Sequence, residues 1–420
     1  MNHINKLCTE IRDFLTMISK DEPLSVDLRS SLAIKTYGNQ TYCLVENELT
    51  KYNEIISNIL RYSNYNARFC RNFIESKLDN LISEVITDET RIKELVQNLF
   101  DILDESQFAN SVYLPINGIK STISPLQLGP YIFIQNPENT IEQDLLSQIE
   151  SLFPSSKTGV ASQIKMNIME EYSGKFVLEL AVDADSSKAV ELAILKGNII
   201  LNILKLYLPC HILVNNLIDC AIGGRPLNYV DKWLIIDRKN NSLHFSSSMR
   251  GSILPLELNE TNVELIRQGK IEKILSLVGS HKKNKFEEAL LRAIDWYIDA
   301  GSKVRKSDKL LSLAICLECV MTAKGSGAIK DSITENVAVL LGGNLVDRKN
   351  TKAALNKLFA ERNKIAHGSS LNEAEENLLK YFELVRGVIL ELVDFIGEVD
   401  SLEDIHSKFE DQRLSPKNIE

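Results

Sequence analysis

Apolar positions recur in steps of three and four over most of the first 108 residues. Leu7, Ile11, Phe14 and Ile18 form one stripe. Phe69, Phe73, Leu78, Ile82 and Val85 form a second, and Leu95, Leu99, Ile102 and Leu103 a third. A 3.6-residue period of this kind predicts amphipathic helices. Pro and Gly are nearly absent, so the helices should be long. Cys8, Cys43 and Cys70 read as small packing residues.

The texture changes at Ser111. Pro115, Gly118, Pro125, Gly129 and Pro130 interrupt short apolar runs, which predicts strands and turns. Gln163–Met169 alternates Ile164, Met166 and Ile168, and Lys175–Val182 reads as a second strand across a Ser173-Gly174 turn. Asp185 or Ser186 caps a helix running to about Tyr207, and a hairpin joins Asp231–Asp237 to Ser242–Ser246. A helix-bearing connection spans about 255–284.

From Lys285 the 3.6 period returns, with Phe286, Ala289, Leu290, Ala293, Ile294 and Tyr297 on one stripe. Ser307 or Asp308 caps the next helix, which is apolar nearly all round and should be central. Its one charged residue is Glu318. Ser332 and Glu335 match a capping box for a short helix ending at Gly342-Gly343. Thr351–Gly368 reads as one helix, with Thr351 or Asn350 at its start and Gly368 just past its end. Ser370 and Glu373 open a final helix striped by Leu378, Phe382, Val385, Ile389, Leu392 and Ile396. The last twenty residues read as a frayed, charged tail. The pattern predicts a multidomain, mainly α chain: an N-terminal helical module over 1–108, an α+β middle domain over 109–260 and a five-helix C-terminal bundle over 265–420.

Charge refines this picture. The chain holds 48 Lys and Arg against 57 Asp and Glu, a net charge of −9, which argues against a generic nucleic-acid coat. Yet 281–370 holds 16 basic and 10 acidic residues, a net of +6, while 371–420 holds 5 and 13, a net of −8. A basic segment inside an acidic chain is compatible with local phosphate binding or with a solvated lysine-rich surface. Seven cysteines without framework spacing point to reduced thiols in the cytosol. No apolar run reaches membrane-spanning length; the longest candidate, Gly197–Leu204, lies between Lys196 and Lys205. No signal-peptide pattern opens the chain.

Candidate chemistry concentrates in the helix over 351–368. Its apolar stripe runs Leu355, Leu358, position 362, Ile365, and position 362 is Arg362. A guanidinium on a buried face is costly unless paired. Glu318 has the same need in the central helix, so pairing the two solves both problems. Asn363 and His367 are four apart and share an adjacent face. Other signals are weaker. Asp183 and Asp185 suit turn and capping roles better than a metal site, having no third ligand nearby. Cys316 and Cys319 form a lone CxxC, better read as two core residues than as zinc ligands. His211 reads as a core or loop residue. Neither Gly223-Gly224-Arg225-Pro226 nor the glycine loop over Lys324–Ala328 has phosphate-loop context. A second Arg-to-His spacing, Arg238 to His244, lies in the expected hairpin.

Arg362-Asn363-Lys364-Ile365-Ala366-His367 resembles the arginine–polar–x3–histidine signature of HEPN domains, and the last 140 or so residues are similar to the Apea-like HEPN subfamily. The resemblance implies a helical bundle that cleaves RNA without a metal or other cofactor, through attack of the ribose 2′-OH on its own phosphodiester. It implies His367 as the acid–base group, at a helix end where the dipole favours positive charge. Arg362 is implied as phosphate holder anchored by Glu318, and Asn363 as an orienting residue. Lys303, Arg305, Lys349, Lys352 and Lys364 are candidate RNA backbone contacts. The resemblance further implies a homodimer through the bundle, RNA such as tRNA or phage RNA as partner, and a cytoplasmic role in bacterial antiviral defence. A regulatory protein partner is expected at the N-terminal helices. The alternative is a non-catalytic HEPN module that binds RNA or serves as a sensor or scaffold.

Overall fold

The computed structural model describes residues 2–18, 33–37, 40–135, 166, 172, 174–208, 216–218, 220–222, 230–237, 242–249, 252–254, 256–280, 282–303, 305–322, 329–368 and 375–414. The chain is mainly helical with a smaller β region in the middle. It divides into two compact units, the first formed by 1–112 with 181–193 and the second by 113–180 with 194–420.

In the first unit, α1 (Asn2–Ile18) is followed by β1 (Ala33–Tyr37), β2 (Gln40–Leu44), α2 (Glu46–Arg61), α3 (Arg71–Thr87) and α4 (Ile92–Glu105). Most of the expected stripe positions are buried, and Ile11, Phe14, Leu78, Ile82 and Leu103 are inaccessible to solvent, but Ile102, expected in the third stripe, is 47% exposed. The antiparallel β1–β2 hairpin corrects the all-helical expectation for this region. Its buried ends, Tyr37 and Leu44, are covered by the helices, and Lys35 pairs with Asp79 (3.0 Å) and with Glu75 of α3. Five-residue strands give too short a period-2 signal to stand out between long helical stripes. Asp185 takes the capping role expected of it, whereas Asp183 ties two distant stretches together instead of closing a local turn. Asp185 Oδ1 accepts from the Ser187 and Lys188 N–H groups, and Asp183 Oδ1 accepts from Phe108 N–H (3.1 Å).

The β region comprises β3 (Asn110–Asn117), β4 (Ile119–Ser121), β5 (Leu126–Leu128), β6 (Tyr131–Gln135) and β7 (Phe176–Val182), then, after helix α5 (Ser186–Tyr207), β8 (Asn216–Ile218) and β9 (Ala221–Ile222). One five-stranded sheet has the order β5-β6-β7-β3-β9. Gly197 lets α5 approach this sheet closely: a Cβ there would lie 2.7 Å from Leu114 Cδ1 and 3.1 Å from Ile222 Cδ1. The hairpin expected over 231–246 is β10 (Val230–Asp237) with β11 (Ser242–Met249). His244 stands in β11 opposite Ile235, so the second Arg-to-His spacing has no helical context. Parallel pairs join β12 (Ser252–Leu254) to β8 and β13 (Leu256–Leu258) to β4. Of the expected strand over 163–169 only Met166 is described, and it is helical. His211, the 223–226 and 324–328 loops, and the Ser370–Glu373 box lie outside the described residues.

Helices α6 (Glu260–Gln268) and α7 (Ile271–Gly279) lead into the C-terminal bundle: α8 (Lys285–Ser302), α9 (Lys306–Met321), α10 (Ile329–Leu340), α11 (Leu345–Ala366) and α12 (Glu375–Leu392). Helix α9 is central as expected, packing against α8, α10, α11 and α12, with Leu310, Leu313, Leu317 and Val320 fully buried. Arg386 of α12 ties the bundle to α5: its Nε donates to the Leu206 carbonyl (2.7 Å) and its Nη2 to that of Tyr207 (2.6 Å).

Three helix starts differ from expectation. Helix α11 begins at Leu345, six residues before Thr351. Asn344 caps it by accepting from the Val346 and Asp347 N–H groups (2.8 and 3.0 Å), while Asp347 accepts from Asn344 N–H (3.2 Å). Leu345 and Val346 are exposed, so no buried stripe marks this first turn. Helix α10 begins at Ile329, which places Ser332 inside it rather than at its cap. Helix α9 begins at Lys306 with Arg305 at the cap position and no side-chain cap.

The tail is also corrected. Residues Leu402–Leu414 form a further helix, α13, docked on the bundle with Ile405 and Phe409 fully buried. Each such side chain contributes about 1.5–3 kcal/mol on leaving water. Polar fastenings add to this: His406 Nε2 bonds the Met321 carbonyl (2.9 Å), and Arg413 donates to Glu335 (3.3 Å) and Asn336 (3.2 Å) of α10. Two apolar anchors four residues apart among charged neighbours are too sparse a pattern to predict docking from sequence.

Candidate functional site

The central helix and α11 meet where the sequence places Glu318 and Arg362. Arg362 Nη2 lies 3.3 Å from Glu318 Oε1, and Arg362 Nη1 donates to Asn363 Oδ1 (3.2 Å). The pair is not buried, contrary to expectation: the side chains are 35% and 29% exposed. The reason is a cavity of about 490 Å³ at this junction, which wets both ends of the pair.

The walls come from three helices. Along α9, Ile315, Glu318 and Cys319 line the cavity, and Thr322 follows at the helix end. These positions recur at helical spacing, so one face of α9 builds one wall. Phe359, Arg362 and Asn363 supply the wall from α11, and Lys330 reaches in from α10. Thr322 Oγ1 is buried without a hydrogen-bond partner among the described residues. Burial pushes the Cys319 thiol up from its ordinary value, with Arg292 pulling it down and Glu318 adding to the rise. The expectation of two core cysteines holds for Cys316, which is inaccessible and donates to the Ala293 carbonyl. It fails for Cys319, which is half-buried against the cavity.

His367 stands apart. It is the C-cap residue of α11, exposed, with its backbone N–H on the Asn363 carbonyl (3.1 Å). Five residues separate it from Arg362, about 140° around the helix axis, and it does not line the cavity. The structure therefore gathers Arg362, Asn363 and Glu318, and leaves His367 at the open helix end one turn beyond Asn363.

Of the expected phosphate contacts, three already face carboxylates. Lys303 pairs with Asp299 (2.9 Å), Lys352 with Glu335 (2.8 Å) and Lys364 with Glu361 (2.7 Å). Arg305 and Lys349 are exposed. Pairs of this kind at a surface are weak enough to exchange for a phosphate. Glu335 is held below the usual carboxylate range by the Lys352 ammonium it accepts from.

The sequence reading missed Thr322, Cys319 as a wall residue, and Lys330. Thr322 lies four residues past Glu318 in an otherwise apolar run, so helical spacing could have found it. Lys330 carries no comparable signal, because only the packing of α10 brings it here.

Among the described residues, no group of three or more His, Cys, Asp or Glu side chains is placed to hold a metal ion. No described helix is long and apolar enough to cross a membrane. A scan against protein-family models and searches of curated proteins and of solved structures returned no match.

Proposed function

We propose that the C-terminal bundle is a HEPN-type, Apea-like module that cleaves RNA without a metal. The observation that carries this reading is the Arg362–Glu318–Asn363 cluster at the rim of a cavity between two bundle helices. A guanidinium anchored by one carboxylate, with part of its fork still solvent-facing, is suited to hold a phosphodiester and to stabilise charge developing on it. In the reaction the ribose 2′-OH loses its proton to His367 and its oxygen attacks phosphorus. The 5′ oxygen leaves taking the proton back from the His367 imidazolium, giving a 2′,3′-cyclic phosphate and a 5′-OH. Asn363 orients His367 or the strand from one turn away. Because His367 lies off the cavity, the scissile phosphate has to sit at the open end of α11. A second copy of the bundle packed there would complete a shared groove. The setting that goes with this reading is a cytoplasmic enzyme of bacterial antiviral defence, with tRNA or phage RNA as substrate, held in check by a protein partner at the first unit.

A second reading, a module that binds RNA or scaffolds a complex without cutting, is favoured by one observation: His367 has no described side-chain contact that would orient it. Incubation of the purified chain with total RNA and tRNA in excess EDTA, beside His367→Ala, separates the two. Cleavage leaving 2′,3′-cyclic phosphate ends that the variant loses supports the enzyme. RNA retained but uncut by the wild type supports the second reading. Equal cleavage by both proteins would sink the role of His367.

A further inference from the structure

A separate cavity of about 170 Å³ opens in the first unit between α1, the C-terminal end of α2, and α4. Its floor is apolar, formed by the buried Leu7, Ile59 and Phe100. Tyr62 makes a wall, its ring centroid 4.8 Å from that of Phe100 and 5.0 Å from that of His3. The mouth carries two cations, Lys6 and Arg61, beside the His3 imidazole, and all three are exposed. The one carboxylate there, Glu10, is already engaged. Asn58 Nδ2 donates to both of its oxygens (3.1 and 3.2 Å), and Lys6 Nζ lies 3.7 Å away. Among the described residues Arg61 forms no ion pair, which leaves its guanidinium able to meet an anion at the mouth.

The backbone supplies an independent observation. Ser63 and Asn64, directly after Tyr62, both adopt left-handed conformations, with φ of 47° and 62°. Two consecutive non-glycine residues in that region are strained, and such strain concentrates at ligand sites. Here it turns the chain at the end of α2, directly after Tyr62, whose ring lines the cavity. The space suits one flat ring, since an apolar cavity of about 150 Å³ accepts benzene. A ring against Tyr62 and Phe100 would carry its substituents to the cationic mouth.

We propose that this cavity binds a small ligand in which a flat aromatic ring carries an anionic group, the chemistry shared by nucleoside monophosphates and aromatic carboxylates. The ring enters the floor, and Arg61 with Lys6 and His3 holds the anion. The site lies wholly within the first unit and is independent of any activity toward RNA.

The test is titration calorimetry and saturation-transfer NMR on the full chain with AMP, UMP, benzoate, adenosine and inorganic phosphate. At least one of the three ring-bearing anions should bind, with saturation reaching its ring protons. Adenosine and phosphate should each bind about tenfold more weakly or worse, the factor set by losing the charged contact or the ring contact. Arg61→Gln should weaken binding about tenfold with an unchanged circular dichroism spectrum. Tyr62→Ala should do the same, and if it unfolds, Arg61→Gln decides alone. Preference for AMP or UMP supports a nucleotide ligand, and preference for benzoate an aromatic acid. The proposal is overturned if no ring-bearing anion binds up to millimolar concentration, if phosphate alone binds as tightly, or if Arg61→Gln changes nothing.

Discussion

Glu318→Gln and Arg362→Gln, singly and together, separate a functional pair from a structural one. At 3.3 Å, two unit charges attract by about 5 kcal/mol at an effective dielectric of 20 and about 1 kcal/mol in water. The lower figure governs here. Each side chain is about a third exposed, the contact is a single N–O approach, and the cavity admits solvent. Screening and side-chain entropy reduce such pairs to about 0.2–1 kcal/mol. The double-mutant cycle should therefore give a coupling of about 1 kcal/mol or less in folding stability. The assay has a built-in reporter. Both tryptophans, Trp233 and Trp296, belong to the second unit, so their fluorescence in urea follows that unit alone. Against this small structural effect, Arg362→Gln should lower RNA cleavage by about a hundredfold or more, the loss expected when a donor to the developing charge is removed. Glu318→Gln should lower it less, because the guanidinium remains. A coupling of about 3 kcal/mol or more would mean that the pair is effectively buried and structural. Cleavage unchanged by Arg362→Gln would refute the assignment of the arginine directly.

Two further outcomes test the fold around the site. Arg386→Met removes both donors to the last carbonyls of α5 and should destabilise the second unit by about 2–3 kcal/mol, seen as a lower urea midpoint in tryptophan fluorescence; a midpoint unchanged within error would show that water replaces the guanidinium freely. Glu335 joins α10 to Lys352 of α11 and Arg413 of α13, and its folded pKa is lowered. Its contribution is thus present above the ordinary Glu value of about 4.3 and lost as pH falls through the lower folded value. Glu335→Gln should be less stable than wild type at pH 7, and the gap should close on acidification below about pH 4; a gap independent of pH would assign the loss to packing.

The hydrophobic periodicity of this chain determined most of its helices, the identity of α9 as the central one, and the meeting of Arg362 with Glu318. Each follows from local physics: an apolar stripe has to be buried, and an isolated charge on such a stripe needs a partner. The pattern also located the change from helical to β texture at about residue 110. Only the tertiary structure decided that the pair borders a cavity, because solvent access depends on how α10 and α11 splay from α9. It also decided that α13 docks, since Ile405 and Phe409 find buried sites only once the other helices have formed a surface. The start of α11 was hidden because Leu345 and Val346 point to solvent and carry no period. The cavity of the first unit was hidden for a related reason. Its residues come from α1, the end of α2, and α4, and no single stretch of sequence holds enough of them to show a site. His367 marks the same boundary from the other side. Its spacing from Arg362 is written in the sequence, but whether the two act on one phosphate depends on what occupies the open end of α11.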